Sequence, residues 1–197
     1  MAASVSDLPA LERIFDVDCH LVRLPRAIPA ALADYLDNPA THAALRALPR
    51  KSLSSGDTFD AASLPAHPGR RDLLDDVRLC GELLCDLTGS LRFGARIEVL
   101  DRAMCPRWHV DHVSLRLLVT WRGPATEWLD EDGFDRSLLG SEDMPVDPAR
   151  LRQAAAGDIL LLKGERWPRN AGRGVIHRSP CVEGTAPRVV AAFDALC

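Results

Sequence analysis

Two histidines and an aspartate carry the clearest chemistry in this chain: His109 and Asp111 in Cys105-Pro-Arg-Trp-His-Val-Asp-His112, and His177 in Gly174-Val-Ile-His-Arg-Ser-Pro180. In an extended segment, residues i and i+2 point to the same face, so His109 and Asp111 are placed to grip one ion together. His177 is the only histidine after His112 and sits in another strand-like segment. Two neutral imidazoles and a carboxylate on one face of an octahedral ion leave the opposite face open, the arrangement that lets Fe(II) hold a co-substrate and dioxygen. Any one of these residues alone is more simply a packed or solvated side chain. Their order and spacing together single them out.

Other residues compete for roles around that centre. Cys105-x-x-x-His109 and His177-x-x-x-Cys181 mirror one another and could form a closed Cys2His2 zinc set. Four residues of extended chain span about 13 Å, so this set requires turns, for which Pro106 and Pro180 are placed. His112 faces the other side of a regular strand and serves as an alternative ligand only if a bulge re-aims it. Trp121, Glu127 and Trp128 could line a pocket mouth, or simply pack. Arg116, Arg122 and Lys163 could hold an acidic ligand, although charges at alternate strand positions are ordinarily a solvated face. No nucleophilic triad and no Gly-rich phosphate loop is visible.

The elements that must position these groups fall into two halves. Pro29 to Leu36 and Thr41 to Leu48 read as short helices, the first with proline in its opening turn. Residues 51–71, rich in Ser, Gly, Asp and Pro, read as a surface connection of the kind that sometimes forms a lid. Leu73, Leu74, Val77, Cys80, Leu83, Leu84 and Leu87 then recur at helical steps up to a Gly89 stop. After Gly89 the period becomes two: Leu91, Phe93, Ala95, Ile97 and Val99 alternate with polar neighbours. Further strands are expected at 113–121, 159–163, 174–178 and 188–193. Helices followed by short strands predict an α+β fold, with N-terminal helices packed on an antiparallel jelly-roll, cupin-like core.

At 197 residues, 47% hydrophobic and 26% charged, the chain can bury one substantial core. A single domain over 1–197 is expected, with 1–90 mainly helix and loop and 91–197 the jelly-roll core. A net charge of −4 without a basic run excludes the usual nucleic-acid footprint. Residues 1–9 lack a targeting pattern, and no apolar run approaches the length of about 18 residues needed to span a bilayer. The six cysteines form no CxxC pair and are expected as thiols. These features predict a cytoplasmic protein acting on a small molecule, with no nucleic-acid or membrane partner.

His109-x-Asp111, a gap of 65 residues, His177, ten more residues and then Arg188 resembles the signature of the Fe(II)/2-oxoglutarate-dependent dioxygenases, over residues 91–193. The resemblance implies a double-stranded β-helix, Fe(II) held by His109, Asp111 and His177, and Arg188 binding the distal carboxylate of 2-oxoglutarate. A planar guanidinium suits that task because it pairs bidentately and stays charged. The sequence departs from the pattern at Val190, where many members carry Ser or Thr, and offers no tyrosine in this half. Over most of the chain, Cys105-Pro-Arg-Trp-His-Val-Asp-His, Arg116-Leu-Leu-Val-Thr-Trp-Arg-Gly-Pro and Gly157-Asp-Ile-Leu-Leu-Leu-Lys-Gly are similar to a bacterial family of unknown function, domain of unknown function 1826. That likeness implies no activity. It leaves open a non-enzymatic, zinc-binding role in metal homeostasis on the same fold.

Overall fold

The chain changes its period at Gly89, and the structure changes there too. A computed structural model describes residues 8–130, 135–142, 144–182, 184 and 186–196; the N-terminal positions 1–7 and Cys197, read above for targeting and as a thiol, lie outside the described residues. Before Gly89 come α1 (Leu8–Glu12), β1 (Leu21–Leu24), α2 (Ala30–Asp37), α3 (Pro39–Ala47), β2 (Lys51–Ser54) and α4 (Pro68–Thr88). After it come β3 (Arg92–Leu100), β4 (Leu115–Arg122), β5 (Glu127–Leu129), β6 (Leu151–Gln153), β7 (Ile159–Lys163), β8 (His177–Arg178) and β9 (Arg188–Leu196). Gly89 takes a left-handed conformation with φ of 68°, which a residue without a Cβ adopts cheaply, and so ends α4.

The strands form an antiparallel double-stranded β-helix. Six of them order as β1-β7-β4-β9-β3-β2, and three as β6-β5-β8. Alternation decides which side chains go where. Phe93, Ile97, Leu117, Val119, Ala191 and Phe193 leave one face of the larger sheet and join Leu36, Leu73, Val77 and Leu84 of the helices in one core. Each such fully buried leucine contributes about 1.5–3 kcal/mol. Leu118, Leu160, Leu162 and Ala192 leave the other face and meet Ala125, Ala154 and Val175 beside the smaller sheet. The helices therefore cover the outside of the larger sheet, and its inner face remains for the site.

Three expectations need correction. Residues 51–71 are not an irregular surface connection: β2 pairs with β3 from Lys51↔Ala95 to Ser54↔Arg92, Leu53, Phe59 and Leu64 are buried, and α4 already begins at Pro68. The first ninety residues also supply β1, which pairs with β7. Four-residue edge strands such as Leu21–Leu24 and Lys51–Ser54 are too short to show a period, and partners distant in the chain order them, from Ser54↔Arg92 to Leu21↔Leu162. Within 174–178 only His177 and Arg178 are in a strand. Among the described residues no helix is long and apolar enough to cross a membrane.

Candidate metal centre

Backbone pairing brings the two histidines together. The segment before β4 runs antiparallel to β8, with His109 and His177 as direct partners: each backbone N–H donates to the other's carbonyl, at 3.1 and 3.0 Å. Cross-strand partners share a face, and the imidazole centroids lie 4.4 Å apart. The flanking Trp108 and Ile176 turn the other way into a separate apolar cluster with Leu129 and Met144. Asp111, two residues along, completes the group. Nε2 of His177 is 3.3 Å from Asp111 Oδ2, and Nε2 of His109 is 3.9 Å from Oδ1. Ligands bound about 2.1 Å from one ion and at right angles lie about 3 Å apart, so these separations suit shared coordination.

The protonation pattern fits the same use. Nδ1 of His109 lies 2.9 Å from the Arg107 carbonyl and Nδ1 of His177 lies 3.0 Å from that of Val175. A carbonyl only accepts, so both rings carry their proton on Nδ1 and turn the Nε2 lone pair inward, as a ligating imidazole must. Burial, and then the neighbouring His177, lower the pKa of His109 and keep it neutral. Burial works to raise Asp111, but its neighbours outweigh it and hold the carboxyl well below the usual carboxylate range; with both imidazoles neutral, the cation that favours the carboxylate is Arg116. Oδ2 of Asp111 is buried without a hydrogen-bond partner, an orphaned acceptor aimed at the space between the imidazoles.

Asp111 is held by groups that spacing did not reveal. Arg116 Nη1 reaches Asp111 Oδ1 at 2.7 Å, while its Nε and Nη2 donate to the two oxygens of Asp194 at 2.7 and 2.9 Å. Arg116 and Asp194 are cross-strand partners on β4 and β9, so the sheet register aims the guanidinium at Asp111. Arg116→Met and Asp194→Asn are each expected to weaken divalent-metal affinity by about 10- to 100-fold, as loss of an orienting partner does elsewhere. Competition against a chelating dye measures this, Arg116→Lys should recover part of the loss, and unchanged affinity in both variants contradicts the assignment.

The turn after β7 seats the other side of Asp111. Glu165 N–H donates to the Asp111 carbonyl and Arg166 N–H to that of Val113, at 2.9 and 3.0 Å. Gly164 makes this approach possible, since a Cβ there would lie 2.2 Å from Val113 O and 2.7 Å from Asp111 O. Gly164→Ala is expected to cost about 1–3 kcal/mol of stability through overpacking and to weaken metal binding as the Asp111 segment is displaced. Urea unfolding and metal titration of one preparation test both halves. The only sequence signal for this glycine was its place at the end of Gly157-Asp-Ile-Leu-Leu-Leu-Lys-Gly.

Arg188 opens β9 and lines the same cavity as the triad, a space of about 200 Å³. It is 2% exposed and has no carboxylate partner among the described residues. Nη2 donates to the hydroxyls of Thr126 and Thr120 at 2.9 and 3.2 Å, Nη1 donates to Ser179 at 3.2 Å, and Nε has no partner. Burial lowers its pKa, although an arginine so placed remains charged at neutral pH.

Several expected positions fall elsewhere. Trp121 is the extra residue of a bulge in β4, buried on the helical side with Nε1 donating to Asp76 at 2.5 Å. It continues the alternation of Leu117 and Val119, which already faces away from the cavity. Glu127 is engaged by Arg178 at 2.7 Å and Trp128 packs beside the second core, so none of the three lines the triad's cavity. Arg122 pairs with Asp37, and Lys163 is buried against the Asp16 carbonyl and Trp167. Cys105 lines the cavity mouth but is exposed, as is Cys181. The converging ligand group holds neither, so the Cys2His2 set does not form among the described residues. His112 is exposed and outside the group as well.

Residues 6–194 match the family model described as Protein of unknown function (DUF1826). The chain belongs to this family. No curated protein matches the chain. Among solved structures, dioxygenase for auxin oxidation 1 from Arabidopsis thaliana in its 2-oxoglutarate binary complex is 11% identical, with a TM-score of 0.52, covering 94% of this chain and 86% of that one. A prolyl-4-hydroxylase from Pseudomonas putida is also 11% identical, with a TM-score of 0.50, covering 95% and 92%. At these identities the likeness is one of fold, and it places this DUF1826 chain among double-stranded β-helix proteins.

Proposed function

We propose that this DUF1826 protein is a non-haem Fe(II)/2-oxoglutarate-dependent oxygenase acting on a small molecule. One observation carries the reading: a buried guanidinium with no anionic partner among the described residues, Arg188, shares a small cavity with the convergent His109, Asp111 and His177. A cation removed from water without a counter-charge is costly. A dicarboxylate reaching from the triad to Arg188 would remove that cost. The solved structures of similar fold include a complex with 2-oxoglutarate, which agrees with this use.

His109, Asp111 and His177 would hold Fe(II), and Arg188 the distal carboxylate of 2-oxoglutarate. Bound together, the iron and co-substrate supply oxidising chemistry that consumes dioxygen and releases succinate and carbon dioxide. The chain's own residues prepare that chemistry. The Arg107 and Val175 carbonyls fix the imidazole tautomers, and Arg116 with Asp194 orients the carboxylate ligand. Thr126, Thr120 and Ser179 hydroxyls surround Arg188, while Val190, standing where related patterns carry a hydroxyl, offers an apolar wall. No tyrosine takes part, since the single Tyr35 is buried among the helices.

Zinc on the same three ligands supports the second reading, a non-enzymatic metal-binding protein, because His2Asp with an open position also suits Zn²⁺. It leaves Arg188 unexplained. Anaerobic addition of Fe(II) and 2-oxoglutarate separates the two. A visible metal-to-ligand charge-transfer band, followed by succinate formation in air, is expected for the oxygenase. Tight zinc with no band and no affinity for 2-oxoglutarate would establish the alternative.

A further inference from the structure

Two charged side chains in the triad's cavity have no role in the account above. Arg96 and Glu98 stand two residues apart on β3 and project from its inner face, beside Ala192 and Val190 of β9. Both line the cavity, one strand beyond the strand that carries Arg188. Among the described residues neither side chain makes a hydrogen bond or a close ion pair. The nearest carboxylate on the neighbouring strand, Asp194, already gives both oxygens to Arg116.

Arg96 is half-buried, and desolvation together with the charges of Arg116 and Arg50 disfavours its charged form more than Asp194 and Glu98, neither in contact with it, favour it. A guanidinium crowded by two others and lacking an acceptor is a site prepared for an external anion. Glu98 is a bare acceptor on the same wall, about 7 Å away along the strand and within reach of a flexible side chain's partner. Leu118, Val190 and Ala192 give the floor between these charges and the triad an apolar character.

We propose that Arg96 and Glu98 recognise the primary substrate, a small organic acid that also bears an N–H or O–H donor, such as an amino or hydroxy acid. Arg96 takes its carboxylate and Glu98 its donor, which turns the carbon skeleton toward the triad across the apolar floor. Two charges of opposite sign on one wall also select against molecules carrying only one of the two groups, because the unmatched charge stays partly desolvated and unpaired. This assignment rests on the oxygenase reading.

The test uses the anaerobic Fe(II) and 2-oxoglutarate complex of the whole chain, titrated with the common α-amino acids and their 2-hydroxy analogues. At least one acid should perturb the charge-transfer band. Arg96→Met should weaken that acid at least about tenfold, Arg96→Lys less, and Glu98→Gln should narrow the preference for the donor-bearing acid over its simple carboxylate analogue. A band that no acid perturbs, or a response undiminished in folded Arg96→Met and Arg96→Lys, overturns the assignment. Absence of the band itself in the unaltered protein overturns the oxygenase reading, and this assignment with it.

Discussion

Arg188→Met is expected to lower affinity for 2-oxoglutarate by about 100- to 1,000-fold while leaving the protein at least as stable to urea. Hydrogen bonds to charged groups contribute about 1.5–3 kcal/mol each, and a bidentate carboxylate loses two when the guanidinium is removed. The stability half follows from the surroundings of the guanidinium. Arg188 is buried beside three hydroxyls and no carboxylate, with Nε unpartnered. Replacing such a cation by an apolar chain of similar length removes a desolvation cost that offsets the three hydrogen bonds from the guanidinium to hydroxyls that are lost. A structural arginine behaves in the opposite way: its loss destabilises the fold and leaves ligand affinity in the surviving fraction intact. Urea unfolding combined with isothermal titration of 2-oxoglutarate, in the presence of a divalent metal, distinguishes the two outcomes.

His177→Ala should weaken divalent-metal binding by more than about 100-fold, beyond the 10- to 100-fold expected for residues that only orient a ligand. His177 is the most enclosed of the three ligands, and its Nε2 lies closest to the orphaned Oδ2 of Asp111. The backbone pairing with His109 does not depend on the imidazole, so the alanine variant should keep its fold. The expected signature is lost metal with retained circular dichroism. His112→Ala, which alters an exposed ring outside the group, should bind metal as the unaltered chain does. Equal losses in both variants would place the ion elsewhere. The two predictions are separable, since His177→Ala removes the metal while Arg188→Met removes the co-substrate and spares the metal.

Local periodicity made much of this protein legible from its amino acids. The three-to-four step over 73–87 with its glycine stop became α4, and the period-two pattern over 91–99 became β3. Both follow from which side chains can share a face, a property of neighbouring residues. The spacing of His109 and Asp111 was informative for the same reason. Their convergence with His177 was not local in this sense, since it depends on a bridge across 68 residues, between His109 and His177.

What local pattern could not express is partner identity across the sheets. Arg122 shares the parity of the cavity-lining Leu118 until the bulge in β4 sets it opposite Val189, where it pairs with Asp37 of α2. Asp194 carries no mark of function, yet register sets it opposite Arg116, and so opposite the carboxylate ligand. Thr120, Thr126 and Ser179 come from three separate segments to surround Arg188. The amino-acid sequence by itself determined the ligand types, their faces and the two-layer architecture, because those depend on short-range alternation. Only the tertiary structure decided that Arg188 is an unpaired buried cation and that Asp111 is clamped, because charge compensation depends on which distant residues the sheet register places alongside.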